Sequence, residues 1–501
     1  MNSGVILFLA LILLISGYFV ELLAILVPFL WSQKNILAIY AVLVKSFACG
    51  VLVSLSFNFF TVMFLIIHFY TVINDLRLVQ SRMHKQYLRK SYIKSYVFLL
   101  LAQIMTLLLF YAFVYADLFK WSEVHLPYLL ICLSIALIVF CISLKNLTTC
   151  GAKRYAKLKA EQLPTVTLAI SARNEDADLE NCLILAIASD YPKLEILVLD
   201  DNSYDRTPEI IRQYAHDGVR FVQPNPIYQN WLPRNVAYQT LLEQASGQII
   251  MFMGVDVLLS TDTISALVNT FVRSKSRMIS VVPNRINRGI VATLVQPMRY
   301  WRELVIPKFL NRKPPVISTC WLIEKETING LGGFKAVAKA IFPETYFAQE
   351  TTKKSAYLLI RNSRVIKMST QKDFGSQWQT AIRNGYPLAK KNPHRVFFKT
   401  LCDVAFLVGP FVSILFFRQH LLLLGLSAIC SALFATSNAI ISYVTNRSAF
   451  WPSLINFPLV VLLDLIALHY SMYKYEFKEV SWRGRSIVES VMHVYPSLPK
   501  L

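Results

Sequence analysis

Asp256 ends the stretch QIIMFMGVD, behind five apolar residues, Ile249 to Met253. A lone carboxylate there has two readings. It is one ligand of a hard divalent cation, which takes oxygen donors, or it is the polar residue that closes a buried strand. Two more polar clusters precede it, Ser171–Glu175 (SARNE) and Asp200–Asp205 (DDNSYD). Further on, Glu344 follows Pro343 at what reads as a helix start, where an acid meets the positive end of the helix dipole. Residue types alone leave these alternatives open.

The elements around these acids alternate. PTVTLAI reads as a strand, and the helix after it repeats Leu179, Cys182, Leu183, Ala186 and Ile187 at helical spacing. LEILVLDDNSYDRTPEIIRQYA gives strand, loop and helix again, with Asp205 or Thr207 as cap and Pro208 near the first turn. VRFVQP, PRNVAYQTLLEQA, QIIMFM and STDTISALVNTFV continue the pattern. Strands that are nearly unbroken runs of Ile, Leu and Val predict an α/β, mostly parallel sheet with helices on both faces. Such sheets bind ligands beyond the carboxyl ends of their strands, and the three polar clusters sit at those ends.

The rest of the chain is of another kind. The sequence of 501 residues is 55% hydrophobic and 16% charged, against about a quarter charged in ordinary soluble domains. Apolar runs at 4–31, 36–72, 96–118 and 126–144 precede a middle region of ordinary composition, and runs at 400–417, 420–443 and 449–473 follow it. Each is near or above the ~18 residues that suggest a membrane span. The expectation is a multi-pass membrane protein with one inserted water-soluble domain and no cleavable signal peptide. The run 36–72 is too long for one simple span and reads as a hairpin or a long tilted helix. The net charge of +21 concentrates in Arg77–Lys94, Lys145–Lys159 and Arg383–Lys399, all bordering apolar runs. The positive-inside rule places these clusters, and with them the middle domain, at the cytoplasmic face. Charge that tracks membrane boundaries argues against a nucleic-acid partner. Three spans after the domain would put the C-terminus outside, whereas the basic tail Lys474–Arg485 argues for inside. The eight cysteines show no CxxC pairing and read as apolar packing residues. Glu21, Lys45, Asp403 and Asp464 lie inside apolar runs and ask for partners. Pairing between helices, or snorkelling near the ends, is preferred to a path for a lipid phosphate or a growing glycan.

VTLAISARNE, YPKLEILVLDDNSYDRT, SGQIIMFMGVD and GLGGF, in that order across about 165–385, resemble the ordered signatures of family 2 glycosyltransferases with the GT-A fold. The resemblance implies transfer of a sugar from a nucleotide-diphosphate donor, commonly a UDP-sugar, with inversion at the anomeric carbon. It implies Mg2+ or Mn2+ on the leaving diphosphate and a carboxylate base for the acceptor hydroxyl. Carried over by position, Asp201 recognises the nucleobase, Asp200 and Asp205 shape that loop, and Glu175 meets the nucleoside. Arg234 and Asn235 approach the diphosphate, and Asp256 is the metal-binding last acid of the DxD motif. Gly332 and Gly333 allow a close backbone approach on the acceptor side. Three positions depart from the family. Gly254 replaces the first acid of DxD. Thr345 stands where the base belongs, so that either Glu344 is the base by a one-residue slip, with Glu350 a weaker alternate, or the chemistry is lost. In place of QxxRW, Gln377 fits, but Thr380 and Ala381 replace Arg and Trp. Trp378 and Arg383 are present out of register, and Trp321 is a further candidate to stack on an acceptor sugar.

The expected organisation is then transmembrane helices at 1–160, a cytoplasmic GT-A domain at 161–385, a basic interfacial segment at 386–399, transmembrane helices at 400–473 and a basic tail at 474–501. Two functional classes follow. One is a membrane-bound glycosyltransferase acting on a lipid, lipid-linked or polysaccharide acceptor, with membrane lipids docked on Arg383–Lys399. The other is an inactive glycosyltransferase-like scaffold, or a nucleotide-sugar-binding subunit of a polysaccharide synthase complex. A transporter leaves the soluble domain unexplained.

Overall fold

The computed structural model describes residues 3–26, 34–55, 59–80, 98–106, 121–149, 155–225, 231–294, 299–305, 314–477, 480–482 and 485–486. Residues 81–97, 107–120 and 487–501 lie outside them, and with them most of the first basic cluster and much of the tail.

The middle of the chain builds a seven-stranded sheet. Its strands are β1 (Val166–Ala172), β2 (Leu194–Asp200), β3 (Val219–Val222), β4 (Ile249–Met253), β6 (Met278–Val282), β8 (Cys320–Glu324) and β9 (Tyr357–Arg361), in the order β3-β2-β1-β4-β8-β6-β9. All neighbours run parallel except β8, which is antiparallel to both β4 and β6. The five residues of β4 are all buried, as expected for a strand covered on both faces. Period-two alternation divides the strands between two cores: Leu168, Ile170 and Met251 face one side, and Ala169, Ile250 and Phe252 the other. The helix Asp176–Ile187 covers the first side with Leu179, Cys182, Leu183 and Ala186, the positions its spacing marks. A smaller sheet lies at the carboxyl end of β4. Here β5 (Val257–Leu259) pairs antiparallel with β10 (Met368–Asp373), which runs parallel to β7 (Asn284–Arg288). This sheet brings residues far apart in sequence to the place where Asp256 leaves β4.

Among the described residues, four helices are long and apolar enough to cross a membrane: His125–Asn146, Pro393–Phe416, Leu421–Thr445 and Phe457–Glu476. The run 36–72 is not one long helix. It forms two, Lys34–Leu55 and Phe59–Gln80, packed on each other. The helix expected to begin at residue 400 begins earlier, because Asn392 caps it by accepting from the backbone N–H of His394 and Pro393 occupies the first turn. It continues through a π-helical turn at Asp403–Val408, so part of the expected interfacial segment belongs to it.

These helices turn their charges inward and apolar residues outward. The Lys45 ammonium is fully buried, 2.7 Å from Glu21 and 2.6 Å from Asp75, while Ile15, Phe19, Leu43 and Phe47 on the same helices stay exposed. Arg302 lies 2.9 Å from Asp403 and 2.6 Å from Asp464, and Lys399 reaches the same two acids at 3.2 and 3.5 Å. All four acids and bases singled out in the apolar runs are therefore paired between helices. In lipid an unpaired charge costs several kcal/mol, so such pairs fix which helices lie together.

Candidate functional site

The loops after β1 and β2 are laced together. The Asn174 carboxamide oxygen accepts from Tyr204 N–H at 2.8 Å, and Asn174 N–H donates to Ser203 Oγ at 3.0 Å. Asn174 and Asn202 both take positive φ, 49° and 54°, which asparagine tolerates better than most residues. Glu175 N–H donates to Thr207 Oγ1 at 2.9 Å. The Asp200 carboxylate accepts from Ser203 N–H at 3.2 Å. Asp205 accepts from the backbone N–H of Thr207 at 3.0 Å and of Asp176 at 3.1 Å. Arg173, buried, donates to the carbonyl oxygens of Asp201 and Asn202 and lies over the Tyr204 ring. Asp200 and Asp201 are buried beneath this loop. β2 lies two strands from β4, so the two carboxyl ends are roughly 10 Å apart, a span suited to the base and diphosphate of one nucleotide. Cys182, on the helix after β1, is fully buried. Burial pushes its thiol up to about 12, and the charges of Asp256, Asp178 and Glu175 add to the effect.

At the end of β4, Asp256 is ion-paired. Its Oδ2 lies 3.2 Å from Lys372 Nζ, and each side chain keeps about a quarter of its surface exposed, 26% and 27%. A Cβ added at Gly254 would stand 2.8 Å from Asp256 Oδ1, inside van der Waals contact. The missing first acid and the direction of the remaining one are therefore coupled. No group of three or more His, Cys, Asp or Glu able to hold a metal occurs among the described residues. With one carboxylate, already matched by an ammonium, these residues do not fit a metal held by the protein itself.

A cavity of about 520 Å3 opens between the sheet domain and the C-terminal apolar helices. From the sheet side it is lined by Arg285, Thr319, Glu344, Thr345 and Lys372, and from the helical side by Arg395, Lys399, Asp464 and Leu468. Glu344 is 1% exposed. It sits in the first turn of the helix Pro343–Lys353, and its Oε2 has no hydrogen-bond partner among the described residues. A buried carboxylate oxygen without a partner is costly. Here it faces a cavity that could supply one. Arg234 holds the Tyr238 hydroxyl at 2.8 Å, and the positive charge of the guanidinium is favoured further by the charge of Glu344. Gln377 and Arg383 line the same cavity, together with Thr380 and Ala381 from the register of the lost QxxRW.

Four expected residues do other work. Trp321 is 0% exposed, stacked on Phe252 at 4.4 Å and packed against Phe347. It is a core residue with no open face for a sugar. The Asn235 amide donates to the carbonyls of Val337, Ala338 and Ala340, each at 2.9 Å. It clamps the loop after Gly333 instead of reaching a diphosphate. Trp378 stacks on Phe374 and is not among the cavity residues. Glu350 pairs with Lys353 at 2.5 Å and also stands outside the cavity, which leaves Glu344 as the better-placed acid. Arg173, Arg285 and Lys372 are new to the site. The alternation of β10 hinted that Thr370 and Lys372 share a face, but no local signal placed them beside Asp256.

A mostly parallel sheet with a laced polar loop beyond two adjacent strand ends, joined to long apolar helices, defines the chain as an α/β domain set among apolar helices. More particularly, residues 167–331 match the model of glycosyl transferase family 2, which bears out the resemblance carried by the four motifs. Glycosyltransferase AglE of Haloferax volcanii is 35% identical over 98 residues, covering 19% of this chain and 31% of that protein. Beta-monoglucosyldiacylglycerol synthase of Trichormus variabilis is 26% identical over 131 residues, covering 26% of this chain and 28% of that protein. The chain thus matches about a third of the length of these relatives. Among solved structures, the mannosyltransferase PcManGT of Pyrobaculum calidifontis, in complex with GDP-Man and Mn2+, is 17% identical over 70% of this chain and 99% of that one, with a TM-score of 0.42.

Proposed function

We propose that the chain is a membrane-bound inverting glycosyltransferase that moves a sugar from a nucleotide-diphosphate donor to a lipid, lipid-linked or polysaccharide acceptor. The nucleotide occupies the loops after β1 and β2, with Asp201 toward the base and Glu175 toward the nucleoside. The sugar and diphosphate lie across the end of β4. The acceptor enters through the cavity between the sheet domain and the apolar helices, where Glu344 removes its hydroxyl proton. The observation that carries this reading is the buried, unpartnered Glu344 oxygen facing that cavity. A lipid acceptor is favoured because Ala467 and Leu468 of an apolar helix line the cavity beside Arg395 and Lys399. One relative is also named for a diacylglycerol glycolipid. The basic clusters next to the apolar runs support a cytoplasmic sheet domain, on the side where nucleotide sugars are available.

In the reaction, the bond from the anomeric carbon to the phosphate oxygen breaks and its electron pair leaves with the nucleoside diphosphate. A bond forms from the acceptor oxygen to the opposite face of that carbon, and the acceptor proton passes to Glu344. The test incubates the detergent-purified full chain with a panel of nucleotide sugars and membrane lipid extract, and measures nucleoside diphosphate release. Glu344→Gln should lower turnover by at least about a hundredfold while leaving donor affinity within a few-fold. Donor binding without turnover under every condition would favour the scaffold reading, which the Gly254 and Thr345 departures support. Turnover unaffected by Glu344→Gln removes that residue from the mechanism.

A further inference from the structure

The family implies a divalent cation on the leaving diphosphate, and the residues around Asp256 do not fit one. We infer that Lys372 takes its place: its ammonium, held against Asp256, is the fixed positive charge that binds the donor diphosphate and stabilises it as it leaves, so donor binding needs no divalent metal. This rests on the proposed transfer reaction.

Three independent features converge. Lys372 Nζ lies 3.2 Å from Asp256 Oδ2, so the acid singled out as a metal ligand already faces a fixed positive charge. Gly254 leaves the space into which the Asp256 carboxylate turns, and any side chain there would stand within 2.8 Å of Oδ1. Where the family motif sets two acids, this chain sets one acid beside one ammonium. The third feature is the wall. Lys372 opens on the cavity with Arg285, a buried residue (6% exposed) of the adjacent strand β7. Both come from the small sheet, so their positions are set by strand pairing.

The chemistry is balanced without a proton transfer at Lys372. The C–O bond to the diphosphate breaks heterolytically, the pair of electrons stays on the diphosphate oxygen, and the ammonium donates hydrogen bonds to it. Charge-assisted bonds of this kind are among the stronger ones proteins make. Asp256, 3.2 Å away, holds the lysine in place before the donor arrives.

The experiment is calorimetric titration of UDP and GDP into the full chain in detergent, in EDTA and again in excess Mn2+, alongside titration of Mn2+ alone followed by electron paramagnetic resonance. The expected result is binding of one of the two diphosphates in EDTA, within about threefold of its affinity in Mn2+, and no tight Mn2+ site without nucleotide. Lys372→Ala should weaken that binding by about tenfold or more, that is about 1.4 kcal/mol, and Lys372→Arg should restore most of it. Nucleotide binding seen only with Mn2+ overturns the inference and leaves the transfer reaction standing. Binding in EDTA that Lys372→Ala does not change overturns the role of Lys372. Failure of both diphosphates to bind in either condition overturns the inference together with the proposed function. The comparison of wild type in EDTA and in Mn2+ needs no variant, so a folding defect in Lys372→Ala does not blunt the test.

Discussion

Asp205 is a loop builder with a measurable signature. Burial by itself would raise its carboxyl, but the hydrogen bonds from Thr207 and from Asp176 N–H outweigh that and hold it below the usual carboxylate range. A depressed folded value means that the carboxylate stabilises the fold above its unfolded value, about 3.9, and that this contribution disappears as pH falls through the folded value. Asp205→Asn should therefore melt below wild type at neutral and mildly acid pH, and the gap should close below about pH 4. Thermal melts across a pH series check this, and a gap that widens on acidification contradicts it. At the same scale Trp321 shows why a residue type is weak information about role. An indole next to a predicted site invites a stacking function, yet Phe252 and Phe347 already occupy its faces.

Elements carry the charge pairing. Arg302 sits on the helix Arg299–Val305 and ties the π-turn acid Asp403 to Asp464 on the last long helix. Arg302 and Lys399 together balance two acids, so Arg302→Met leaves a net negative pair facing apolar helices. The expected cost is about 3–5 kcal/mol, the usual penalty for removing one partner of a buried pair. It should appear as a lower melting temperature in detergent, and Asp464→Asn in the same chain should recover part of it. Additive losses in the double variant would show that the network does not couple these helices. The small sheet does corresponding work for the site. By pairing β10 with β5 and β7 it delivers Lys372 to Asp256 and Arg285 to the cavity.

For the whole molecule, the governing feature is the seam between a charged sheet domain and a set of apolar helices. Four long apolar helices among the described residues, with exposed apolar flanks and internal salt bridges, behave as lipid-facing elements. The chain should stay with the membrane pellet through an alkaline carbonate wash, and recovery in the wash would contradict this. The same seam gives the cavity both apolar lining, such as Ala467 and Leu468, and basic lining, such as Arg395 and Lys399. Under the proposed function, a lipid acceptor entering there would reach Glu344 without crossing bulk water.

What the amino-acid order determined by itself was everything that depends on local periodicity. The strands came from unbroken apolar runs such as Ile249–Met253, the sheet-covering helix from the spacing of Leu179, Cys182, Leu183 and Ala186, and the apolar helices from length alone. The order of motifs carried the family. Asp200, Asp201, Asp205 and Glu344 stand out in the sequence because they sit where strands end or helices begin. Tertiary structure alone decided which partners those residues have. Lys372 meets Asp256 through strand pairing between distant segments, and no sequence window holds both. Asn235 and Trp321 were lost as ligand contacts for the same reason: the loop after Gly333 and the Phe252–Phe347 cluster reach them only when the chain is folded. The long run 36–72 forms two packed helices, and Lys45 of the first meets Asp75 of the second and Glu21 of the helix before it, a pairing that composition cannot express.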